Sequence, residues 1–585
     1  MPGAPSRRAA LLLGLVCVPL LWALWHAARA AGDRVAWSAL WQERQTLPAL
    51  AMSLWSGLAS TLLATAASAW LLSRSASAGR ASRTASTRLL QRLQQRQALL
   101  LAVPHAAFAM GLVLLIAPSG WLLRLLSPWA SGLDAPPPWA TTQDPWGLGL
   151  IAVLVCKEIP FLLWAASSQL LRPDVAQRLQ REMQLAASLG YDAHSAWWRI
   201  VWPQLLPALA APLLAVLAYS LTVVDVALVI GPGTPPTLAV LGWQWLQDAS
   251  ALDNAKGAAA AWLLAALVLL GAALAWGLLR APLWRRWQSC GAPQPVPDSA
   301  APRQRHHLAE SGGQRASTML QALYIAVLAA LLLGSAMGSW PFPQLLPAHW
   351  SLAAWRTVAD SASTLWTTLW LAASSAACAL LWVVAWLELA PARWHTRMQT
   401  LAYVPLVLPG LLWVVGLHRL ALAWGLDATA GGVFLAHLLA CLPYVLLATV
   451  GAYSGFDARC WQLAASLGQS RWQFLLRIKW PLLRAALASA FAVGFAVSLA
   501  QYLPTLYVGG GRYASVSTEA VSLAAGGQRS LMAAFAWLQW LLPVLVFAAA
   551  ARLGRSRHFD PPPATPPRAA RASTPGAAGL GTIGP

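Results

Sequence analysis

The chain has 585 residues, 58% of them hydrophobic and only 10% charged, and its mean hydropathy is +0.56. Soluble domains carry about 25% charged residues, so this composition excludes an ordinary soluble globular protein and marks a membrane protein. A formal net charge of +21 raises nucleic acid as a partner, but the positions of the arginines argue against it.

In chain order, apolar runs long enough to cross about 30 Å of hydrocarbon fall near residues 10–31, 48–73, 98–118, 146–171, 204–230, 257–280, 319–340, 361–389, 401–424, 432–453, 482–508 and 531–552, about twelve in all. The expected fold is all-α and polytopic. Residues 74–97 hold six Arg and no acid, 280–318 hold six Arg against Asp298 and Glu310, and the stretch after Ala551 adds five. In the intervening loops Asp134 and Asp144 oppose Arg124, and Asp248 and Asp253 oppose Lys256. The arginines therefore mark every second connection as cytoplasmic, with both termini inside. Their charge reads as topology, with lipid and not nucleic acid as the partner.

Arg7 and Arg8, the apolar stretch from Ala9 to Trp25 and the "ARA" at Ala28–Ala30 also resemble a cleavable signal, and an uncleaved first span fits the count of twelve. The cysteines, Cys17, Cys156, Cys290, Cys378, Cys441 and Cys460, show no metal spacing and read as small apolar residues.

The stretch "QLAASLG" occurs twice, from Gln184 to Gly190 and from Gln462 to Gly468. The same offset of 278 residues aligns Arg199 with Arg477, Ile200 with Ile478, Trp202 with Trp480, Pro203 with Pro481, Ser220-Leu221 with Ser498-Leu499, and Gly231 and Gly233 with Gly509 and Gly511. Upstream, Pro160 faces Pro443, and Pro104 with Gly111 faces Pro409 with Gly416. The chain thus reads as two copies of a six-span unit, 1–280 and 319–552, with a basic linker at 281–318 and a disordered basic tail at 553–585. An even number of spans per unit makes the copies parallel.

Each repeated stretch reads as a short helix stopped by a left-handed glycine, Gly190 or Gly468. An N-cap follows two residues later, Asp192 or Ser470, and Gln473 completes a capping box in the second copy. The next helix carries Trp197, Trp198, Arg199 and Ile200, or Leu475, Leu476, Arg477 and Ile478, until Pro203 or Pro481 ends it. Apolar helices on the cytosolic side should dock on something; packing on the protein's own spans explains one such helix, but less well two near-identical ones with different sequences around them.

The spacing resembles the "EAA" loop of binding-protein-dependent ABC importer permeases, Glu-Ala-Ala, three residues, Gly, nine residues, Ile-x-Leu-Pro. Here Gly190, Ile200 and Pro203, and Gly468, Ile478 and Pro481, keep it; Gln184 and Gln462 replace the Glu, Leu185 and Leu463 the first Ala, and Trp202 and Trp480 the Leu. The chain is similar to fused double-unit permeases of the thiamine and iron(III) type, and "KEIPFLL", "VVDVALVIGPGTPPTLAV" and "AQYLPTLYVGGGRYASVSTEAV" resemble the YnjC-type branch. The resemblance implies a MetI-like, type I importer permease of a bacterial inner membrane, with coupling loops at 182–203 and 460–481. It further implies that two ABC ATPase subunits rest on the helices after the glycines, that a periplasmic or surface substrate-binding protein delivers a small solute, thiamine-like or ferric iron, and that alternating access moves it. No phosphate loop of the G-x-x-x-x-G-K-[ST] kind occurs, so ATP would be used by the partner subunits and no cofactor is expected on this chain. The "ESGGQRAS" at 310–317 imitates an ATPase signature by chance.

Polar groups within spans are expensive and mark a path or an internal ion pair. Lys157 and Glu158 fall in the fourth run and Asp225 in the fifth, with His105, His418, Arg419 and His437 as further groups. Glu158 and Asp225 suit a cationic solute; alternatively Lys157 pairs with one of them and ties helices together. Trp243 and Trp245 are candidate contacts of an outer loop, and the segments 231–237 and 509–515 candidate docking surfaces. A secondary transporter would account for the charges but not for two matched loops, and a lipid-linked transferase would need a large acid-rich loop.

Overall fold

A computed structural model describes residues 7–78, 83–281 and 302–554. Among these, ten helices are long and apolar enough to span a membrane, and two bent pairs bring the number to twelve. The first half runs α1 (Arg7–Ala30), α2 (Arg34–Gln42), α3 (Thr46–Ala78), α4 (Arg83–Leu101), α5 (His105–Ile116), α6 (Trp121–Leu126), α7 (Leu148–Leu170), α8 (Pro173–Ser188) and α9 (Ala193–Ala196). A π-helical turn (Trp197–Val201) leads into α10 (Trp202–Ala208), then α11 (Ala210–Thr222), α12 (Asp225–Ile230), α13 (Leu238–Leu246) and α14 (Ala251–Arg280). The second half runs α15 (Pro302–Gly334), α16 (Ala353–Asp360), α17 (Ala362–Leu389), α18 (Ala392–Val407), α19 (Gly410–Ala423), α20 (Ala430–Ser454), α21 (Arg459–Ser466) and α22 (Arg471–Phe474). A second π turn (Leu475–Lys479) leads into α23 (Trp480–Leu499), α24 (Leu503–Val508), α25 (Val516–Ala525) and α26 (Arg529–Gly554).

From α9 onward the halves repeat in register: Ala193 and Arg471, Trp197 and Leu475, Asp225 and Leu503, and Ala251 and Arg529 each open matching elements. Both halves also break at the matched prolines, since Pro104 and Pro409 are the extended N-cap residues of α5 and α19. A proline has no amide to continue the preceding helix.

Three sequence expectations shift. The fifth run ends at Thr222, where Val223 turns extended, so Asp225 opens a separate short helix beyond the break; the eleventh likewise ends at Leu499. The linker is helical from Pro302, which puts the signature-like 310–317 on α15; residues 282–301, with Cys290, and the tail from 555 lie outside the described residues.

The two sequence halves are not two bodies in space. Helix α1 packs on α19 and α17 of the other half, and α15 reciprocally on α5 and α3. The matched Gly111 and Gly416 sit at these crossings. A Cβ on Gly111 would stand 2.7 Å from the Val327 carbonyl oxygen, and one on Gly416 would strike that of Ala23. Small residues let helices approach this closely in lipid. One large core accordingly joins Leu154, Val226 and Ala259 to Leu411, Val516 and Phe535.

Gly111→Val and Gly416→Val should each lower stability by about 1–3 kcal/mol, the usual range for overpacking, whereas Gly14→Val, with nothing within 4 Å of its Cβ, should not. Thermal unfolding in detergent checks this.

Candidate functional site

Each repeated stretch ends its helix by the same local chemistry. Gly190 and Gly468 take φ of +85° and +74°. The Tyr191 amide donates to the Ala186 carbonyl at 3.0 Å and that of Gly190 to Ala187 at 3.1 Å; Gln469 to Ala464 and Gly468 to Ala465, both at 3.0 Å, repeat the pattern. This is a Schellman stop. Within the stretch only Ala186 and Ala464 are buried, while Gln184, Leu185, Gln462 and Leu463 are exposed. The caps form as expected. Asp192 Oδ2 accepts from the His194 and Ser195 amides at 3.0 and 3.2 Å. Ser470 and Gln473 close a capping box, at 3.3 and 2.8 Å. Burial alone would raise the Asp192 carboxyl, but the hydrogen bonds from Ser195 and His194 outweigh it and hold it below the usual range.

Beyond the caps the expectation changes. Pro203 and Pro481 end nothing: each follows a π turn and lies at the start of a helix that carries on. The wider turn accommodates a residue without an amide hydrogen. The segments after the glycines are therefore the entrances to the next spans, straight into α23 in the second half and bent by 67° between α10 and α11 in the first, where Pro207 interrupts the ladder. Trp197 and Leu475 point into the protein's own packing. Trp198, Arg199, Ile200 and Ile478 are half-buried, Pro203 is buried, and Leu476, Arg477 and Pro481 are exposed. The free apolar surface lies instead on α8 and α21 and just after the caps: Leu185, Leu189, Leu463, Leu467, Trp472 and Leu476, with Leu467 71% and Trp472 68% exposed.

Within the spans the polar groups divide. Among the described residues Lys157, 1% exposed, forms no ion pair within 4.0 Å with Glu158 or Asp225. Its Nζ donates to the Val103 and Leu100 carbonyls at 2.5 and 3.3 Å and sits 5.3 Å from the Tyr324 ring centroid. It lies at the gap that Pro104 leaves between α4 and α5. Glu158 Oε1 meets His105 Nε2 at 3.2 Å, and the imidazole lies 4.6 Å from the Tyr219 ring. Asp225 is within electrostatic reach of His105, Tyr219 and Tyr502, and Glu158 of Tyr444. Tyr444 is 41% exposed. The three tyrosines were not candidate site residues in the sequence, although each had a positional signal: Tyr219 precedes the matched Ser220-Leu221, Tyr444 follows the matched Pro443, and Tyr502 lies in "AQYLPTLYVGGGRYASVSTEAV".

The other intramembrane histidines hold helices. His437 is buried between Ser498 Oγ at 2.7 Å and Thr505 Oγ1 at 2.9 Å, and His418 pairs with Asp427 at 3.1 Å. Arg419 is exposed. Trp243 and Trp245 are buried and contribute no outer contact; Trp243 packs edge-on against Tyr507 of the other half, 5.5 Å away. Segments 231–237 and 509–515 expose only their tips, Gly233-Thr234 and Gly510 to Arg512.

Matched helical halves, exposed helix–turn–helix loops and polar groups collected inside the spans define a polytopic membrane transport protein. No family model matches the chain. The inner membrane ABC transporter permease protein YnjC of Escherichia coli (strain K12) is 35% identical over 469 residues, 80% of this chain and 81% of that one. The spermidine/putrescine transport system permease protein PotC of Haemophilus influenzae is 27% identical over 135 residues, 23% of this chain and 52% of that one. PotC of Escherichia coli (strain K12) is 23% identical over 155 residues, 26% and 59% of the two chains. The chain belongs to the ABC transporter permeases, as a multi-pass transporter subunit of the inner membrane. Membership implies ATPase and substrate-binding-protein partners.

Asp192→Ala should cost about 1 kcal/mol at neutral pH, as for other lost N-caps. Because the folded carboxyl titrates below its unfolded value, about 3.9, the difference should be full above that pH and vanish as pH falls through the folded value. Urea or thermal unfolding of the two proteins against pH measures it.

Proposed function

We propose that this single chain forms the whole translocation pathway of an importer, with one ATPase subunit seated on each loop and loops and termini on the cytoplasmic face. The observation that carries the reading is the pair of exposed helix–turn–helix loops, identical over seven residues and stopped by the same glycine geometry. The arginine pattern supports the orientation. The docking surface is assigned to Leu185 and Leu189 on one loop and to Leu463, Leu467, Trp472 and Leu476 on the other, with Gln184 and Gln462 beside them. Trp197 and Leu475 serve as inner anchors.

Closure of an ATP-loaded dimer would draw the loops together. Because the helices after Asp192 and Ser470 run on into spans, that motion passes into α11 and α23 and then to the short helices α12 and α24. Nucleotide stays on the partner subunits. A substrate-binding protein would approach the opposite face, where the tips of 231–237 and 509–515 are exposed.

The solute is read as a small cation. Glu158 and Asp225 supply negative charge, and Tyr219, Tyr444 and Tyr502 supply ring faces that attract organic cations such as a thiamine-like ring more than a bare iron ion. The PotC relatives are named for the polyamines spermidine and putrescine, also cations. Lys157 drops out of the path because backbone carbonyls occupy it.

Replacing Leu185, Leu189, Leu463, Leu467 and Trp472 together by Asp should abolish co-purification of the ATPase while the thermal unfolding profile is kept. Full retention of the ATPase would refute the docking surface. In the intact complex, Glu158→Gln with Asp225→Asn should cut uptake at least tenfold without loss of the ATPase, read by solute counting in proteoliposomes.

A further inference from the structure

A cavity of about 560 Å³ lies where the two halves meet, between the segment joining α5 to α7, the segment joining α15 to α16 and the first residues of α26. The whole of α7 separates it from the first repeated stretch, so it belongs to the other end of the bundle. Two guanidinium groups stand in its wall. Arg124 of α6 is 3% exposed. Its Nε donates to the Ser119 carbonyl at 2.9 Å, Nη1 to those of Pro341 and Gln344 at 2.8 and 2.7 Å, and Nη2 to that of Trp340 at 3.1 Å. The Trp340 ring covers it, with 3.8 Å from Cζ to the centroid. Carbonyl dipoles satisfy its donors but do not cancel its charge.

The second group is Arg529, exposed at the start of α26. It donates from Nη1 to Ser119 Oγ at 2.7 Å and is near enough to repel Arg124. Its remaining N–H donors have no partner among the described residues. Asp134 also lines the cavity, but among the described residues no carboxylate comes within 4.0 Å of either guanidinium. The wall is therefore net positive, rich in donors and short of acceptors. Tying the two segments together explains Arg124. It does not explain a second like charge brought to the same wall, which is unfavourable in a partly dry site without an anion to neutralise it. On α6 itself Leu122, Leu125 and Leu126 are exposed, as is Trp129 just beyond. Apolar and aromatic side chains at the end of a span set the wall at the level of lipid headgroups.

We propose that this cavity binds a phosphate group between Arg529 and Arg124, with the Ser119 hydroxyl as a further donor. Guanidinium groups are weakly hydrated and match phosphate oxygens in geometry and charge. The group comes from a free anion or from the headgroup of an anionic lipid, and the recognition chemistry is the same. Ser119 and Arg124 belong to the first half and Trp340 and Arg529 to the second. A bound phosphate thus fastens the halves at this end, independently of what seats on the repeated loops.

The whole chain in detergent is tested with two probes. Equilibrium dialysis at fixed ionic strength measures labelled inorganic phosphate, and native mass spectrometry measures dioleoyl phosphatidylglycerol retained from an equimolar mixture with dioleoyl phosphatidylcholine. At least one probe should bind the parent saturably. Arg529→Gln should weaken that binding at least tenfold. So should Ala135→Asp, which adds an acid to the exposed rim and decides alone should Arg529→Gln not fold. Arg512→Gln, which removes an exposed arginine outside the cavity, should bind as the parent does. Phosphate bound without retention of phosphatidylglycerol assigns the free anion, retention of that lipid without phosphate binding assigns the headgroup, and both together assign the phosphate group from either source. Binding of neither probe by the parent overturns the proposal, as does parent-like binding in folded Arg529→Gln or Ala135→Asp, or an equal weakening in Arg512→Gln.

Discussion

Hydrocarbon offers no partner to a backbone amide or carbonyl, so every interruption of a spanning helix has to be answered from within the protein. This chain interrupts its spans repeatedly, at Pro104 and Pro409, at Val223 and at Ala500 to Tyr502. The first and the last of these breaks are answered from another helix. Lys157 fills the first, Ser517 donates to the Leu499 carbonyl at the last and is itself held by Gln539 at 2.8 Å, and His437 spans Ser498 and Thr505 across the same region. The breaks in turn free short helices such as α12, which Asp225 opens, within electrostatic reach of His105 and Tyr219. A continuous helix would have kept Asp225 on a smooth span.

The same economy of partners joins the halves. Each first helix crosses the opposite half at a matched glycine, Gly111 under α15 and Gly416 under α1. With no hydrophobic drive between helices in lipid, close van der Waals approach supplies the adhesion. A tilt of one half therefore carries a helix of the other with it, which suits a transporter that rocks between two states.

Duplication has not kept the halves chemically equal. Lys157, Glu158 and Asp225 lie in the first half, and the matching neighbourhood of the second is apolar or locked around His437. The ion pair of Glu388 with Lys479, 2.6 Å long, lies in the second. Glu158 and Asp225 and the Glu388–Lys479 ion pair are thus on opposite halves of the chain.

Much of this was legible from residues alone, wherever the physics is local. Twelve runs, a 278-residue offset and two glycine stops depend on hydropathy, spacing and the dihedral freedom of glycine, all properties of adjacent residues. The caps at Asp192 and Ser470 followed from side chains two and three positions away. The comparison with YnjC then turned a resemblance into membership. What tertiary structure alone decided is which distant group answers each polar atom: Lys157 goes to carbonyls more than fifty residues earlier in the chain, Trp197 turns inward, and the proline at 203 is carried through by a π turn. A short pattern states that a charge or a ring must find a partner. Only packing selects the partner, because in a low-dielectric interior the nearest available group wins, and nearness there is set by how helices cross.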